Sequence, residues 1–545
     1  MGKHHFSRRR ALRGLAGGAA FGSIAWLAAC GGGSESDGQG AAATPGTADT
    51  RVTQTASEAP TSGGTLRVAL DGDPTGLDPS TSRGGNDHHW LYSIFENVVN
   101  NDPKFQPAAG IAEQWEVVND LTIAFTVSNG FTYHDGTPFK TEDIKYTIER
   151  HQDPATKSYA AGQVNSIERV EVVDPKRVVF HLKAITASLF AILGDRAGMI
   201  FSPTPVTQAG EGFTNRPIGS GPMKLDSWAT DASLHMSKFA NYRKAGYPYL
   251  DAIDVQIVPN SSVQFANLRT GNTDLIFVGQ KDVSAAKQDS AVQFVQWPGT
   301  GYTQVNINIS QPPLTDMRVR QAMSAALNRK AILQAIYFNE GELANGPMTR
   351  ASWAFDESLK PIEEDLKKAK DLLTAAGHPD GVSFDFLITP GEENTPLAEM
   401  LKSQWARVGI NVTIVALSAE AAGAEYRAQK FPMFLTGFSG RADPDLTIYE
   451  NFHSKGGFNR ASFNTAYTPE PSQVDLDAKI VKARQTYDQA ERKTMYDDIQ
   501  RQIMENAHGI LFTHNTNRVG MTKQVRGFTP YGDGKLRLHE LWLAS

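Results

Sequence analysis

The sequence predicts a mixed α/β protein of about three domains. The chain is 545 residues long, enough for several cores. From Gly64 onward, short alternating strands and longer amphipathic helices follow one another. After residue 63 there is neither a second low-complexity linker nor an internal repeat, so the domains interleave along the chain.

Thr65 to Leu70 alternates as a first strand and is closed by the turn-rich Asp71-Gly72-Asp73-Pro74. Trp115 to Val127 holds two short strands around Asn119-Asp120, a hairpin. Ser166 to Leu182 repeats that logic around Asp174-Pro175-Lys176. Thr141-Glu142-Asp143 starts a helix that runs through Arg150. The second half is more helical. Asp316 to Phe338 reads as one long amphipathic helix, with Val319, Met323, Leu327, Ile332 and Ile336 on one face. Asp365 to Ala376 is a helix stopped by Gly377. Leu397 to Val408 is another, closed by Gly409 before the strand Ile410–Val415, and Ala490 to Ala507 is the last.

Composition narrows the function classes. Hydrophobic residues make up 40% and charged residues 21%, which excludes global disorder. The single Cys excludes an internal disulfide and any multi-thiolate metal site. A net charge of −6 argues against nucleic acid as a partner.

The N-terminus reads as an export signal over residues 1–29. Lys3, Arg8, Arg9, Arg10 and Arg13 precede a short, small-residue-rich apolar run from Gly14 to Leu27, too short to prefer spanning a bilayer. Loss of that segment takes the net charge from −6 to −11. Ser7 to Arg13 resembles a twin-arginine export pattern, and Leu27-Ala28-Ala29-Cys30 resembles a bacterial lipobox in which Cys30 is lipidated. Residues 30–63 are Gly, Ser, Ala, Thr and polar residues, a flexible tether. Together these features place a lipid-anchored domain in the periplasm, or at the extracytoplasmic face of the envelope.

Catalytic signatures are missing from the sequence: it has no Walker loop, HExxH, GxSxG or dinucleotide fingerprint. Asp71 to Ser82 imitates the start of a calcium loop but lacks its closing Glu. His88 and His89 are either metal ligands or an ordinary pair of loop histidines. No metal site, cofactor or catalytic group is expected.

The segment from Ala112 to Thr147 resembles the signature of the family 5 solute-binding proteins of ABC importers, the peptide- and nickel-type receptors. Further matches follow in the family's order at Ile218–Met223, Thr315–Ala322, Asn328-Arg329, Lys368–Gly377 and Val525–Phe528. At Val127–Gly130 the chain departs from the Leu-Arg pair usual in relatives. The resemblance implies a two-lobed α/β fold of the class II periplasmic-binding-protein type with an extra subdomain. Lobe I would be 64–98, 211–300 and 516–545; the subdomain 99–210; lobe II 301–515. The implied function is capture of peptides or a similar small polar solute between closing lobes, by a monomer that delivers it to an ABC permease and its ATPase subunits. A nickel or metallophore receptor using His88 or His89 is the alternative, and a secreted hydrolase a third reading.

By the same resemblance, Arg83, Asn86 and His88 line the cleft after the first strand. Tyr302 and Trp353 offer rigid rings either to ligand or to the core. In the Gly437–Asp445 loop, Arg441 occupies the place where peptide-binding relatives carry an acid, and Asp443 belongs to the following turn. An arginine fork there favours a ligand with an anionic end, unless Arg441 merely pairs with Asp443 or Asp445.

Overall fold

The computed structural model describes residues 58–82 and 87–544, together with a short strand at Asp49–Thr50. Residues 1–29, Cys30 and most of the tether lie outside the described residues. At the tether's described end, the Thr61 hydroxyl donates to Leu543 O at 2.7 Å and Gly63 N–H to Tyr249 O at 2.8 Å.

One twelve-stranded sheet runs through the protein. Its spatial order is Ile410–Ala416, Val382–Ile388, Met433–Phe438, Val292–Ile307, Gly509–Thr522, Leu275–Phe277, Thr65–Leu70, Ala252–Ile257, Ser233–Lys238 and Met223–Ala229, with two short strands beside this path. The central pair, Val292–Ile307 and Gly509–Thr522, is far longer than its neighbours and belongs to both halves. Residues 292–298 pair with 516–522 beside the first-half strands, and 302–306 with 509–514 beside Met433–Phe438. Between these stretches the ladder breaks at Gly299-Thr300-Gly301.

Each half has its own core. Leu66, Val68, Trp90, Ile253 and Val519 pack in the first, and Val305, Ile332, Phe386, Trp405 and Ile510 in the second. A third core, built on Phe125, Tyr133, Phe180 and Leu193, fills a separate four-stranded sheet with the order Ala112–Asn119, Thr122–Val127, Arg177–Leu182 and Ile167–Asp174. Both expected hairpins are edges of this sheet.

The helices follow the sequence pattern with one correction. Asp316–Phe338 is two helices, Met317–Ala325 and Arg329–Tyr337. Asn328 ends the continuity because its side chain accepts from Ala331 N–H at 2.9 Å, capping the second helix. Apolar spacing alone carried straight across that cap. Gly377, at φ +88°, stops Leu366–Ala375 as expected.

The two halves close on each other through the third unit. Ser188 Oγ donates to Asp445 Oδ2 at 2.7 Å, Ala187 N–H to Arg484 O at 3.0 Å, and Tyr487 Oη to Asp120 O at 2.9 Å.

Candidate functional site

Thr65–Leu70 runs parallel to Leu275–Phe277, and Val382–Ile388 parallel to Met433–Phe438. Their carboxyl ends face the gap between the halves, where open α/β sheets bind ligands. The residues just beyond these ends, Asp71, Val278-Gly279 and Pro390–Asn394, line an inter-lobe cavity of about 1010 Å³. Its walls also carry His89, Phe277, Lys281, Ile336 and Phe338. The volume is at the upper end of the about 300–1,000 Å³ usual for small-molecule sites.

A narrower crevice of about 20 Å³ lies on the other side of the helix Asp87–Ile94, lined by His88, Tyr92, Asp195, Arg441, Asp533 and Lys535 among others. His89 thus faces the wide sector and His88 the narrow one. The His88 ring is buried, with Nε2 2.7 Å from Asp195 Oδ1 and Nδ1 3.0 Å from Arg196 Nη2. Burial, with the Arg196 charge, pushes His88 down to about 3. Asp195 also accepts from Arg196 N–H at 2.8 Å, and the His88 ring beside it, with the Arg441 and Arg196 charges, holds its carboxyl far below the usual carboxylate range despite burial. Burial, with the Arg441 and Arg196 charges, holds Lys535 down to about 8 against the pull of Asp533. Arg537 lies flat over Tyr92, its Cζ 3.7 Å from the ring centroid, and pairs with Asp533 at 3.2 Å.

Arg441 faces this crevice from the second half. Its loop needs Gly440, which sits at φ +71° with so little room that a Cβ would lie 2.1 Å from Thr300 O. Arg441 Nη1 donates to Ser439 Oγ at 2.7 Å and to Gly440 O at 2.6 Å. Its Nε stands 3.6 Å from Asp195 Oδ2, beyond hydrogen-bond range. The Nε–Nη2 edge of the fork, the edge that grips a carboxylate bidentately, therefore makes no hydrogen bond to a described residue.

Asp443 and Asp445 do not hold Arg441. Asp443 is gripped by Arg492, and Asp445 by Arg484, with Nε at 2.9 Å from Oδ1. Asp443 is buried in that pair and sits behind the cleft wall. Tyr302 is fully buried against Phe438 with its ring in the second half's core, and burial alone pushes its hydroxyl above the usual range. Trp353 is half-buried, packed on Tyr496 and beside the Arg492 guanidinium. Arg83 and Asn86 lie outside the described residues. Among the described residues no group of three His, Cys, Asp or Glu side chains converges to hold a metal, and no helix is long and apolar enough to cross a membrane.

Sequence reasoning missed Asp195, Arg196, Lys535 and Arg537. A signal existed for the first two: Asp195-Arg196 stands between the apolar runs Leu189–Leu193 and Ala197–Phe201, a charged pair set into core sequence. Lys535 and Arg537 sit in the polar–apolar alternation near the C-terminus, which an ordinary surface strand would also show.

Comparison with known proteins agrees with this architecture. The chain is 26% identical over 471 residues to the glutathione-binding protein GsiB of Pectobacterium atrosepticum, covering 85% of this chain and 90% of the relative. Its fold matches DppA from Helicobacter pylori, solved with the peptide STSA, at a TM-score of 0.79 and 23% identity, over 89% of this chain and 98% of that one. It also matches AgaA of A. tumefacien R10, solved with agropinic acid, at a TM-score of 0.80 and 23% identity, over 88% and 99%. These neighbours are two-lobed periplasmic binding proteins, and the two halves described above are such lobes. The model of the bacterial extracellular solute-binding proteins, family 5, matches residues 106–460, and the chain belongs to that family.

Proposed function

We propose that this protein is the extracytoplasmic substrate-binding component of an ABC importer, capturing a peptide or similar small polar solute with at least one carboxylate. It would hand this ligand to a membrane permease driven by ATPase subunits. The open Nε–Nη2 edge of Arg441, held in a closed inter-lobe crevice beside Lys535, carries the reading. A buried anion without a partner costs several kcal/mol, so a cleft lined by the two cations Arg441 and Lys535 is suited to supply one. The relatives' named ligands, glutathione, the peptide STSA and agropinic acid, are of compatible chemistry. Export by the N-terminal signal and lipidation at Cys30 complete the proposal, since an importer's receptor works outside the cytoplasm and close to its permease.

Native mass spectrometry of protein purified from its own host would identify the bound solute. Calorimetry with that solute should then show Arg441→Ala weakening binding by about 2–5 kcal/mol, as loss of one partner of a buried charge pair does. An amidated analogue should bind both proteins alike. Unchanged affinity for the carboxylate form in Arg441→Ala would overturn the assignment.

A further inference from the structure

We propose that Ser188, Asp445 and Leu446 are positioning residues for Arg441: they latch the second lobe onto the third unit, and the crevice around Arg441 is assembled only while this latch holds. The role rests on the receptor reading above, but its test uses no solute, so either can fail without the other.

The helix Asp445–Phe452 divides its apolar side chains between two cores. Ile448 and Phe452 pack with Tyr302 and Phe438 in the second lobe. Leu446, 2% exposed, belongs instead to the core of the third unit, with Ala442 packed against the same core. Every other buried member of that core comes from residues 98–200. A leucine lent to another unit's core meets water when the units part, and this exposure opposes parting.

The polar contacts beside this plug are buried and matched. Asp445, fully buried, accepts from Ser188 Oγ at 2.7 Å and from Arg484 Nε at 2.9 and 3.0 Å. Arg484 lies over the Tyr449 ring, its Cζ 3.5 Å from the centroid, and its carbonyl accepts from Ala187 N–H at 3.0 Å. Because Asp445 and Arg484 belong to the same lobe, opening leaves neither charge without its partner. Parting gives up only the seat of Leu446 and the hydrogen bonds of Ser188, Ala187 and Tyr487, so the contact can be made and broken in each cycle.

Latch and crevice share their elements. In the third unit, Ser188 precedes the helix Leu189–Leu193, which leads to Asp195. In the second lobe, Arg441 stands shortly before Asp445, whose N–H donates to Asp443 Oδ1 at 2.9 Å. Seating Leu446 therefore brings Asp195 and Arg441 to opposite walls of one crevice. The third unit is the jaw that closes on Arg441.

Hydrogen exchange of the purified protein, resolved to single amides by fragmentation in the mass spectrometer, tests the latch at Ala187, the amide that donates across the contact. In the wild type this amide should exchange at least about a hundredfold more slowly than an unstructured one. Leu446→Ser should speed it by at least about tenfold, while the strands Thr122–Val127 and Arg177–Leu182 keep their protection. Leu446→Met, which refills the core, should restore the wild-type rate. Ser188→Ala, which removes only the hydroxyl bond, should speed Ala187 by at least about fivefold, and it decides the matter if Leu446→Ser does not fold. At the site, the Lys535 amine, held at about 8 by burial and by the Arg441 and Arg196 charges, should titrate closer to the ordinary lysine value of about 10.4 in Leu446→Ser, read from the pH dependence of its acetylation. Rapid exchange of Ala187 in the wild type, or an unchanged rate in either variant, overturns the latch. An unmoved Lys535 overturns the positioning of Arg441. Faster exchange across both strands makes Leu446 a packing residue of the third unit and overturns the latch as well.

Discussion

Arg492 grips Asp443 through both terminal nitrogens, Nη2 to Oδ1 at 2.6 Å and Nη1 to Oδ2 at 2.9 Å. By consuming this carboxylate, two residues from Arg441, the pair leaves Arg441 to face Asp195 across the cleft. Trp353 and Tyr496 pack around the Arg492 guanidinium, so the ion pair is shielded from water.

Arg492→Met should therefore destabilise the second lobe by about 3–5 kcal/mol, the cost of leaving one buried charge alone. Denaturant unfolding followed by tryptophan fluorescence checks this. Asp443→Asn/Arg492→Met, which removes both charges, should recover much of the loss. A double variant no more stable than Arg492→Met would show that packing, rather than the lone charge, sets the cost.

Ligand binding should weaken as pH rises through about 8. Lys535 carries its charge below that value and loses it above, so a carboxylate in the crevice loses one of its two nearby cations. Calorimetric affinity for a carboxylate solute should be level from pH 6 to 7.5 and fall by pH 9.5. In Lys535→Met the profile should flatten at the lower value.

Acid should destabilise the fold well before its carboxylates titrate. His151 and His514 are pushed down to about 4 and His88 and His508 to about 3, in each case chiefly by burial. An unfolded histidine takes its proton near pH 6.5. The unfolded chain thus binds protons that the native state refuses, and stability present above pH 6.5 is lost as pH falls toward 4. Melting temperatures at constant ionic strength should decline across that window; a level profile would contradict the neutral, buried state of these rings.

Membrane fractionation tests the proposed anchor. The wild type should sediment with membranes, and Cys30→Ser should be released or remain an uncleaved precursor. Equal membrane association of the two forms would remove the lipobox from the account.

Much of the fold was legible because its signals are local: alternation over Thr65–Leu70, the hairpin at Asn119-Asp120, the Gly377 stop and the family motifs in order. The same locality caused the error at Asn328, where a cap interrupts a periodicity that reads as continuous. At the site, Arg441 stood out because it replaces a residue of known place in the loop. Its opposite number did not, since Asp195 lies 246 positions away and meets it only when the lobes close. Tyr302 and Asp443 are polar residues near the cleft in sequence, yet one turns into the core and the other is taken by Arg492. Which way a side chain at a strand end points is set by packing partners from distant segments.

The three residues Gly299-Thr300-Gly301 stand opposite the single Asn515, between Pro298 paired with Thr516 and Tyr302 paired with His514. Thr300 bridges this gap on both sides, its N–H donating to Gly532 O at 2.9 Å and its hydroxyl to Ser439 O at 3.0 Å. A sheet hydrogen-bonded without interruption would resist twisting along its whole width. Here the slack residues concentrate any torsion into one short span, and Thr300 fastens that span to the loop that carries Arg441. Rotation about this fulcrum would carry the arginine with it, so in the proposed receptor the opening of the lobes would also withdraw the anion's partner.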